Sequence, residues 1–335
     1  MTTRPERDLP APTESAEGLA KTLRELEERA GRYFRSARAP NTVKAYGHDL
    51  EDFATWCKID AGNLSPMPAA PRTVALYVTA AAGRGLKAAT IQRRLAAIAQ
   101  LHQEAGLEDP TKTKAVRNTY RGIVREIGSF QEGKAPLLPP TLRRVLSVFE
   151  RERGLAAARD RALLLLGLAG GYRVSELASL RVDDVKLVDE GAIVMLRSSK
   201  TDQAGGGFYK GIPYGHHTET CPVSHLRAWL KLLPTSPDGG PLFRGVDRHG
   251  NLSRRPMAPD SISRLVKKRA CKAGLDPSRY SGHSLRAGLV TAASEGGAHD
   301  KDIMRQTTHR SLATLHRYRR AAGLFKNNPA SLLGL

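Results

Sequence analysis

A Gly- and Pro-rich stretch, GSFQEGKAPLLPP at residues 128–140, divides this chain of 335 residues into two parts with different hydrophobic patterns. Glycine and proline interrupt helices and strands, so such a stretch is typical of an interdomain linker. A chain of this length also exceeds what one hydrophobic core usually serves. We therefore predict two domains, joined by a linker at 129–139.

The part before the linker has the periodicity of helices. In the stretch 41–57, apolar residues recur at steps of three and four, and Asn41 or Thr42 can cap its start. Helices are predicted at 41–57, 71–83, 90–106 and 114–128. The start of the chain is polar and contains three prolines. We therefore predict a disordered segment at 1–22, followed by a helical domain at 23–128.

The part after the linker mixes helices with one small sheet. Helices are predicted at 140–152, 158–169, 174–181, 222–233, 260–273, 284–295, 299–306 and 311–320. The stretch GAIVMLRSSKTDQAGGGFYKGIPYG, at 191–215, has β-rich runs on both sides of a Gly-rich turn and predicts a hairpin. The expected fold is thus mainly α with a small antiparallel β-sheet. Its second domain spans 140–322, and a C-terminal tail follows at 323–335.

Positive charge runs along the whole chain. The sequence has 53 Lys and Arg against 33 Asp and Glu, a formal net charge of +20. Such an excess favours a large polyanion held along an extended surface, and nucleic acid is the commonest partner of that kind. An acidic membrane surface is the alternative, but it normally needs a basic amphipathic or lipidated segment, and we find neither.

Arginines on two predicted helices are candidates for contacts to a nucleic-acid backbone. Arg93 and Arg94 fall away from the apolar face of their helix, although two adjacent arginines also suit a solvated surface. Arg117, Arg121 and Arg125 lie four residues apart along one face of a helix. This second set favours phosphate contact.

The three cysteines, Cys57, Cys221 and Cys271, fit neither a disulfide framework nor a zinc cluster, because they are far apart and odd in number. The start of the chain has no apolar signal-peptide core. The longest strongly apolar run, at 162–171, is too short to span a bilayer. We expect a soluble cytoplasmic protein without a membrane partner.

Two short motifs place cationic side chains at the starts of helices. In GGYRVSELASL, at 170–180, two glycines break one helix and Arg173 stands at the first turn of the next, beside free backbone N–H groups. In SGHSLRAG, at 281–288, His283 and Arg286 are three residues apart and point the same way. Taken singly, each motif also suits an ordinary surface arginine or a capping pair.

Three further residues extend this set. Lys200 ends the first strand of the hairpin, and His309 precedes Tyr318 by nine residues. The combined set has no paired carboxylates, no ligand set for a metal, no Gly-rich phosphate loop and no Ser-His-Asp arrangement. It suits attack on a phosphodiester without metal or cofactor. An attacking phenol with a pKa of about 10 needs a base to take its proton, and the pentavalent phosphorane that forms needs cations to neutralise its charge. The departing 5′-oxygen needs an acid to protonate it.

The order and spacing of these motifs resemble the tyrosine recombinase (phage integrase) family, of the simple two-domain type, over roughly residues 25–325. The resemblance implies that Arg173 and Arg286 clamp the scissile phosphate. His283 would act as general base or share the proton of Tyr318. Tyr318 would be the nucleophile and form a 3′-phosphotyrosyl link, and Lys200 would protonate the 5′-hydroxyl that leaves.

The family pattern also assigns roles around this centre. His309 would hydrogen-bond the phosphate, and Glu176 would orient the site, although an exposed helical glutamate is the alternative. Two positions are open. The family usually has Gly before the histidine that matches His309, whereas this chain has Thr308. Lys210, on the returning strand of the hairpin, is an alternative to Lys200 as general acid.

The resemblance implies double-stranded DNA as substrate, with an inverted-repeat site held in a C-shaped clamp by the two domains. It also implies a homotetramer on DNA that exchanges strands through a Holliday junction. The apolar tail at 324–335 would pack on a neighbouring protomer, or else on its own domain. Two other functions stay open: a monomeric type IB topoisomerase-like enzyme, and a DNA-binding architectural protein without catalysis.

Overall fold

The protein folds into two compact units, residues 1–131 and 132–335. A computed structural model describes residues 16–36, 40–130, 133–197, 207–235 and 239–313, together with Leu315 and Leu333. These residues form helices with small antiparallel sheets, so the predicted fold class is confirmed. Within the described ranges, no helix is both long and apolar enough to cross a membrane.

The described part of the first unit contains helices and no strands. Its helices are α1 (Ala16–Ser36), α2 (Pro40–Ile59), α3 (Pro71–Gly83), α4 (Ala88–Glu104) and α5 (Lys114–Ile127). The apolar faces of α2 to α5 meet in one core that contains Phe53, Tyr77, Ile91 and Val116, all at most 1% exposed. Helices α2 to α5 cover the four helices that the apolar periodicity predicts.

Helix α1 differs from the prediction, which placed residues 1–22 in a disordered segment. The helix begins at Ala16, so the prediction was wrong for residues 16–22, and residues 1–15 lie outside the described part. Leu19, Leu23 and Leu26 recur at steps of four and three, a spacing typical of a helix. The prolines that suggested disorder all precede α1.

The second unit surrounds a larger core with helices and two sheets. Its helices are α6 (Pro139–Ser147), α7 (Leu155–Gly170), α8 (Val174–Ser179), α9 (Pro222–Leu232), α10 (Pro259–Lys272), α11 (His283–Glu295) and α12 (Asp300–Thr307). Its strands are β1 (Val185–Val188), β2 (Gly191–Leu196), β3 (Phe208–Pro213), β4 (Arg244–Val246) and β5 (Leu252–Pro256). Most of the predicted helix at 311–320 lies outside the described residues.

The larger sheet contains the hairpin that the sequence predicts. Strands β2 and β3 pair antiparallel, with Val194 opposite Lys210, and β1 adds a third strand beside β2. Residues 198–206, between β2 and β3, lie outside the described part. Strands β4 and β5 form a separate antiparallel pair. Neither β1 nor this pair was predicted.

Helix α7 forms the centre of the second unit, because its apolar residues are buried and it packs against α9 and α11. It ends at Gly170, and Gly171 adopts the left-handed conformation that turns the chain toward α8. Helix α11 lies close to the segment before α6. A Cβ on Gly288 would come within 2.2 Å of the carbonyl oxygen of Leu137, so only glycine allows this approach. The end of the predicted linker at 129–139 thus packs on the second unit.

Candidate active site

Arg173 stands at the start of α8, directly after the glycine turn that ends α7. Its backbone N–H donates to Glu176 Oε2 (2.9 Å), and its Nη1 donates to Glu176 Oε1 (2.5 Å). Glu176 is the third residue of α8, a position from which a glutamate side chain accepts a hydrogen bond from the backbone N–H of the residue before the helix. Here the same carboxylate also accepts from the Arg173 side chain. The Glu176 side chain is 2% exposed, so its carboxylate is a buried group that fixes Arg173.

Arg286 lies on the first turns of α11 and is 1% exposed. Its Nη1 donates to the carbonyl oxygen of Gly171 (2.7 Å), which links α11 to the end of α7. His283, one turn earlier, begins α11 at the surface. Loss of surrounding water and the positive charges of Arg286 and Arg173 lower the pKa of His283. A lowered pKa favours the neutral form of this imidazole, which can accept a proton.

His309 follows the end of α12 and is buried. The Thr307 hydroxyl donates its single proton to the carbonyl oxygen of Ile303 (2.5 Å), so its oxygen accepts from His309 Nδ1 (2.7 Å). This fixes the tautomer, because Nδ1 carries the proton and Nε2 carries the lone pair. Burial, followed by the charges of Arg286 and Arg173, lowers the pKa of His309 to about 3.

Lys210 is the lysine that the described residues bring to this site. It lies on β3, is 1% exposed, and donates from Nζ to the carbonyl oxygen of Gly170 (2.7 Å). The ammonium group also lies 4.3 Å from the centre of the Tyr172 ring. Burial lowers the pKa of Lys210 to about 7, although the Glu176 carboxylate opposes the shift.

These groups form one electrostatic cluster built from four segments of the chain. The charges of Arg286, Arg173 and Lys210 all act on His309. Among the described residues, Glu176 is the carboxylate that acts on the cluster. The cluster is therefore cationic, and it suits an anion that supplies several acceptor oxygens.

The sequence analysis named two further reacting groups that lie outside the described residues. Tyr318 and Lys200 both fall in segments whose placement is not described, and so does the tail at 323–335 apart from Leu333. Within its described part, the structure brings Arg173, His283 and Arg286 together with three other residues that the sequence analysis named. Those others are Glu176, His309 and the alternative lysine, Lys210.

The arginines proposed for DNA contact in the first unit fall into two groups. Arg117, Arg121 and Arg125 are exposed on α5. Arg93 and Arg94, on α4, have acidic partners that the sequence did not reveal. Contact of any of these five residues with DNA stays a prediction.

An acidic pair on α2 engages the α4 arginines. Arg93 donates from Nε to Asp49 Oδ2 (2.7 Å), and Arg94 donates to Asp52 and to Tyr77 Oη. The Arg94 side chain is only 12% exposed, whereas that of Arg93 is 48% exposed. Arg94 therefore also serves to tie α4 to α2 and α3.

Sequence reasoning missed the threonines that hold this site. Thr307 fixes the His309 ring, and Thr308 accepts from Arg173 Nη1 at its hydroxyl (3.1 Å) and from Nη2 at its carbonyl (3.4 Å). The only signal was that Thr308 stands where a glycine was expected. Gln306 adds a link, because its side-chain amide donates to the carbonyl oxygens of Ala169 (3.2 Å) and Gly211 (3.1 Å).

The sequence of this chain matches those of known protein families. The sequence pattern of the phage integrase family matches residues 137–323, and that of the phage integrase N-terminal SAM-like domain matches residues 32–109. An integrase/recombinase xerD homolog from Selenomonas ruminantium is 37% identical over 306 residues, which cover 90% of this chain and 88% of the relative. The recombinase cre of Escherichia phage P1 is 27% identical over 291 residues, 81% of each chain.

A solved structure shows the same fold. The lambda integrase(75-356) dimer bound to a COC' core site has a TM-score of 0.60 and 18% sequence identity to this chain. The match covers 90% of this chain and 96% of the integrase chain.

Proposed function

We propose that this chain, which belongs to the phage integrase family of tyrosine recombinases, breaks and rejoins DNA strands through a covalent bond to Tyr318. The cationic cluster of Arg173, His283, Arg286 and His309 carries the proposal. These four groups come from distant parts of the sequence, yet they act on one another electrostatically. A phosphodiester gains negative charge as it is attacked, and preorganised cations stabilise that charge.

The proposed reaction exchanges one phosphorus–oxygen bond for another. The Tyr318 phenol attacks the phosphorus, and its proton passes to His283, whose lowered pKa keeps it neutral and able to accept. Arg173 and Arg286 donate to the non-bridging oxygens. The bond to the 5′-oxygen then breaks, which leaves a 3′-phosphotyrosyl link. Attack by a 5′-hydroxyl reverses these steps, so no high-energy cofactor and no metal ion is required.

His309 is proposed to hydrogen-bond the phosphate from Nε2. Since Nδ1 already carries the proton in the neutral ring, Nε2 must first gain one. A phosphate oxygen beside the ring would raise the pKa of His309 by opposing the field of the two arginines. We therefore expect DNA binding to take up a proton at this residue.

Lys200 is the proposed general acid for the leaving 5′-oxygen. The alternative lysine, Lys210, is less suited to this role because it is buried and its Nζ donates to the carbonyl oxygen of Gly170. It would have to break that hydrogen bond to reach a leaving group. A substrate with a bridging 5′-sulfur separates the two, because a thiolate leaves without protonation. This substrate should restore cleavage by Lys200→Ala and should not restore cleavage by Lys210→Met. The opposite pattern would make Lys210 the acid.

Duplex DNA with an inverted-repeat site is the proposed substrate, bound by four copies that exchange strands through a Holliday junction. The net charge of +20 and the exposed arginines of α5 support contact with the DNA backbone. We propose that the apolar tail joins neighbouring protomers. A chain ending at Gly323 should then bind DNA but fail to form the four-copy complex in gel filtration. Full assembly of the truncated chain would exclude this role.

The test of the reaction is covalent trapping in the presence of EDTA. A binding site would first be selected from random duplexes and then nicked, so that the cleaved end diffuses away and the phosphotyrosyl link persists. Wild type should give a protein–DNA band on a denaturing gel, and Tyr318→Phe should give none. Tight binding without a band from either protein would favour an architectural protein. Relaxation of supercoils by a monomer would favour the topoisomerase-like alternative.

A further inference from the structure

Thr308 ends α12 in the left-handed conformation, with φ 56° and ψ 37°. A side chain that branches at Cβ is rarely found there, because it crowds the backbone. Glycine adopts this conformation without strain and is the usual residue at such a helix end. A threonine at this position therefore suggests that its side chain makes a contact that offsets the backbone strain.

The hydrogen bonds of Thr308 show which contact this is. Its hydroxyl accepts from Arg173 Nη1 (3.1 Å), and its carbonyl oxygen accepts from Nη2 of the same guanidinium (3.4 Å). Glu176 accepts from Nη1 of the same guanidinium and from the backbone N–H of Arg173. The guanidinium thus donates both to a carboxylate on α8 and to a threonine that is 135 residues away in the sequence.

The left-handed turn also makes the next residue part of the same arrangement. His309 follows Thr308 directly, and its backbone N–H donates to the carbonyl oxygen of Met304 (3.1 Å). Thr307 orients the imidazole while Thr308 orients the guanidinium. One turn at the end of α12 therefore sets the positions of two groups that come from different parts of the sequence.

We propose that Thr308 is a positioning residue, which aims the Arg173 guanidinium at the scissile phosphate and couples it to His309. The role in cleavage rests on the proposed function, whereas the contact with Arg173 can be tested without it. Thr308 does not itself take part in bond making or breaking. A glycine at this position would relieve the strain and keep the carbonyl contact to Nη2, but it would remove the hydroxyl contact to Nη1.

Four variants separate strain from positioning. Thr308→Val keeps the shape and removes the hydroxyl, Thr308→Gly removes both the hydroxyl and the strain, and Thr308→Ser keeps the hydroxyl. The matched control is Asn63→Gly, since Asn63 is an exposed non-glycine residue of the first unit with φ 63°. It should change neither the site nor the cleavage rate.

The first measurement is the NMR signal of the Arg173 guanidinium in the full chain, assigned by its absence in Arg173→Lys. A guanidinium that is hydrogen-bonded to both Glu176 and Thr308 rotates slowly and gives resolved Nη–H signals. These should persist in Thr308→Ser and be lost in Thr308→Val and Thr308→Gly. Unchanged signals in Thr308→Val and Thr308→Gly would overturn the proposal, whether or not the protein cleaves DNA.

The second measurement is the single-turnover rate of covalent complex formation. Loss of a hydrogen bond to a charged group should slow Thr308→Val and Thr308→Gly about tenfold or more, with Thr308→Ser within about threefold of wild type and DNA affinity unchanged. Thr308→Gly should unfold at a temperature no lower than wild type does, because glycine suits the turn. Lower unfolding temperatures together with equal slowing of cleavage in all three Thr308 variants would instead indicate a merely structural role.

A double-mutant cycle completes the test. Arg173→Lys removes the guanidinium that donates to the Thr308 hydroxyl. In this background, Thr308→Val should slow cleavage less than about twofold further. Full multiplication of the two effects would contradict the proposal. If wild type itself forms no covalent complex, the proposed function fails, and the NMR signals alone decide whether Thr308 positions Arg173.

Discussion

Two clusters of buried arginine lie in the second unit, and they differ in how their charge is balanced. In the first, on α7 and α10, Asp160 lies between Arg159 and Arg269: one carboxylate oxygen accepts from Arg159 (2.6 Å) and the other from Arg269 (2.6 Å). Arg269 also pairs with Glu152. Each carboxylate oxygen of Asp160 thus has its own guanidinium.

In the second cluster, the candidate active site, one carboxylate serves more cations. Glu176 pairs with Arg173, whereas Arg286 donates to a backbone carbonyl and Lys210 lies within the field of both arginines. A balanced cluster holds helices together, and a cluster with excess positive charge is prepared for an anion. Burial of an arginine therefore does not by itself mark a candidate site, whereas positive charge left after pairing does.

Removal of one arginine from each cluster should give opposite outcomes. Arg269→Ala leaves Asp160 and Glu152 short of a cation, and we expect it to lower the free energy of unfolding by about 3–5 kcal/mol. Arg286→Ala should slow covalent complex formation by about 10²–10³-fold and affect unfolding less. Chemical denaturation and single-turnover trapping measure the two effects. Equal losses of stability in both variants would remove the distinction between the clusters.

Neutralisation of the carboxylates sharpens the same comparison. Glu176→Gln retains one acceptor for Arg173 where the native side chain has two, so we expect cleavage to slow about tenfold to a hundredfold. Asp160→Asn should mainly destabilise the fold, since it leaves two buried arginines with less charge compensation. The measurement is the cleavage rate of protein that is still folded. A slower rate for folded Asp160→Asn than for Glu176→Gln would contradict this assignment.

Acid should weaken the fold through the cationic cluster. The folded-state pKa of His309 is about 3, below its ordinary value of 6.5. Between these pH values the unfolded chain binds more protons than the folded chain, so stability falls as pH drops from 6.5 toward 3. His309→Asn should reduce this fall in denaturation experiments, and the control His216→Asn, at an exposed site, should not. A fall of equal size in both variants would exclude His309 as its source.

The smallest effect is expected at the edge of the balanced cluster. Lys272 pairs with Glu152 (2.6 Å), but its side chain is 44% exposed. Exposed ion pairs contribute little, so Lys272→Met should lower the free energy of unfolding by less than about 1 kcal/mol and leave cleavage unchanged. A loss as large as that of Arg269→Ala would mean that the pairing, not the burial, determines the stability of this cluster.

The sequence predicted the parts of the fold that depend on local pattern. Helices α2 to α5 follow from apolar residues at three- and four-residue steps, and the hairpin follows from the Gly-rich turn between two β-rich runs. Strand β1 was missed because four residues, Val185–Val188, are too short for a periodic signal. Helix α1 was missed because the prolines before it dominated the composition of the first segment.

The sequence could name candidate site residues where they belong to short motifs, but it could not predict contacts between distant parts of the chain. Arg173, His283, Arg286 and His309 belong to motifs with fixed spacing. The contact between Thr308 and Arg173 joins residues 135 positions apart, and no local pattern encodes it.

The same limit applies to buried charges. The acidic partners of Arg94 and the burial of Lys210 depend on how helices and strands pack. These are properties of the folded core that residue types and spacing do not specify.

The cationic cluster is proposed to serve attack by Tyr318 on a DNA phosphate. The most direct test of this role is peptide mapping by mass spectrometry of wild-type protein after incubation with the nicked substrate and digestion of the DNA. We expect a nucleotide joined through its 3′-phosphate to the peptide that contains Tyr318. A nucleotide on any other residue, or no modified peptide from protein that binds the substrate tightly, would contradict it.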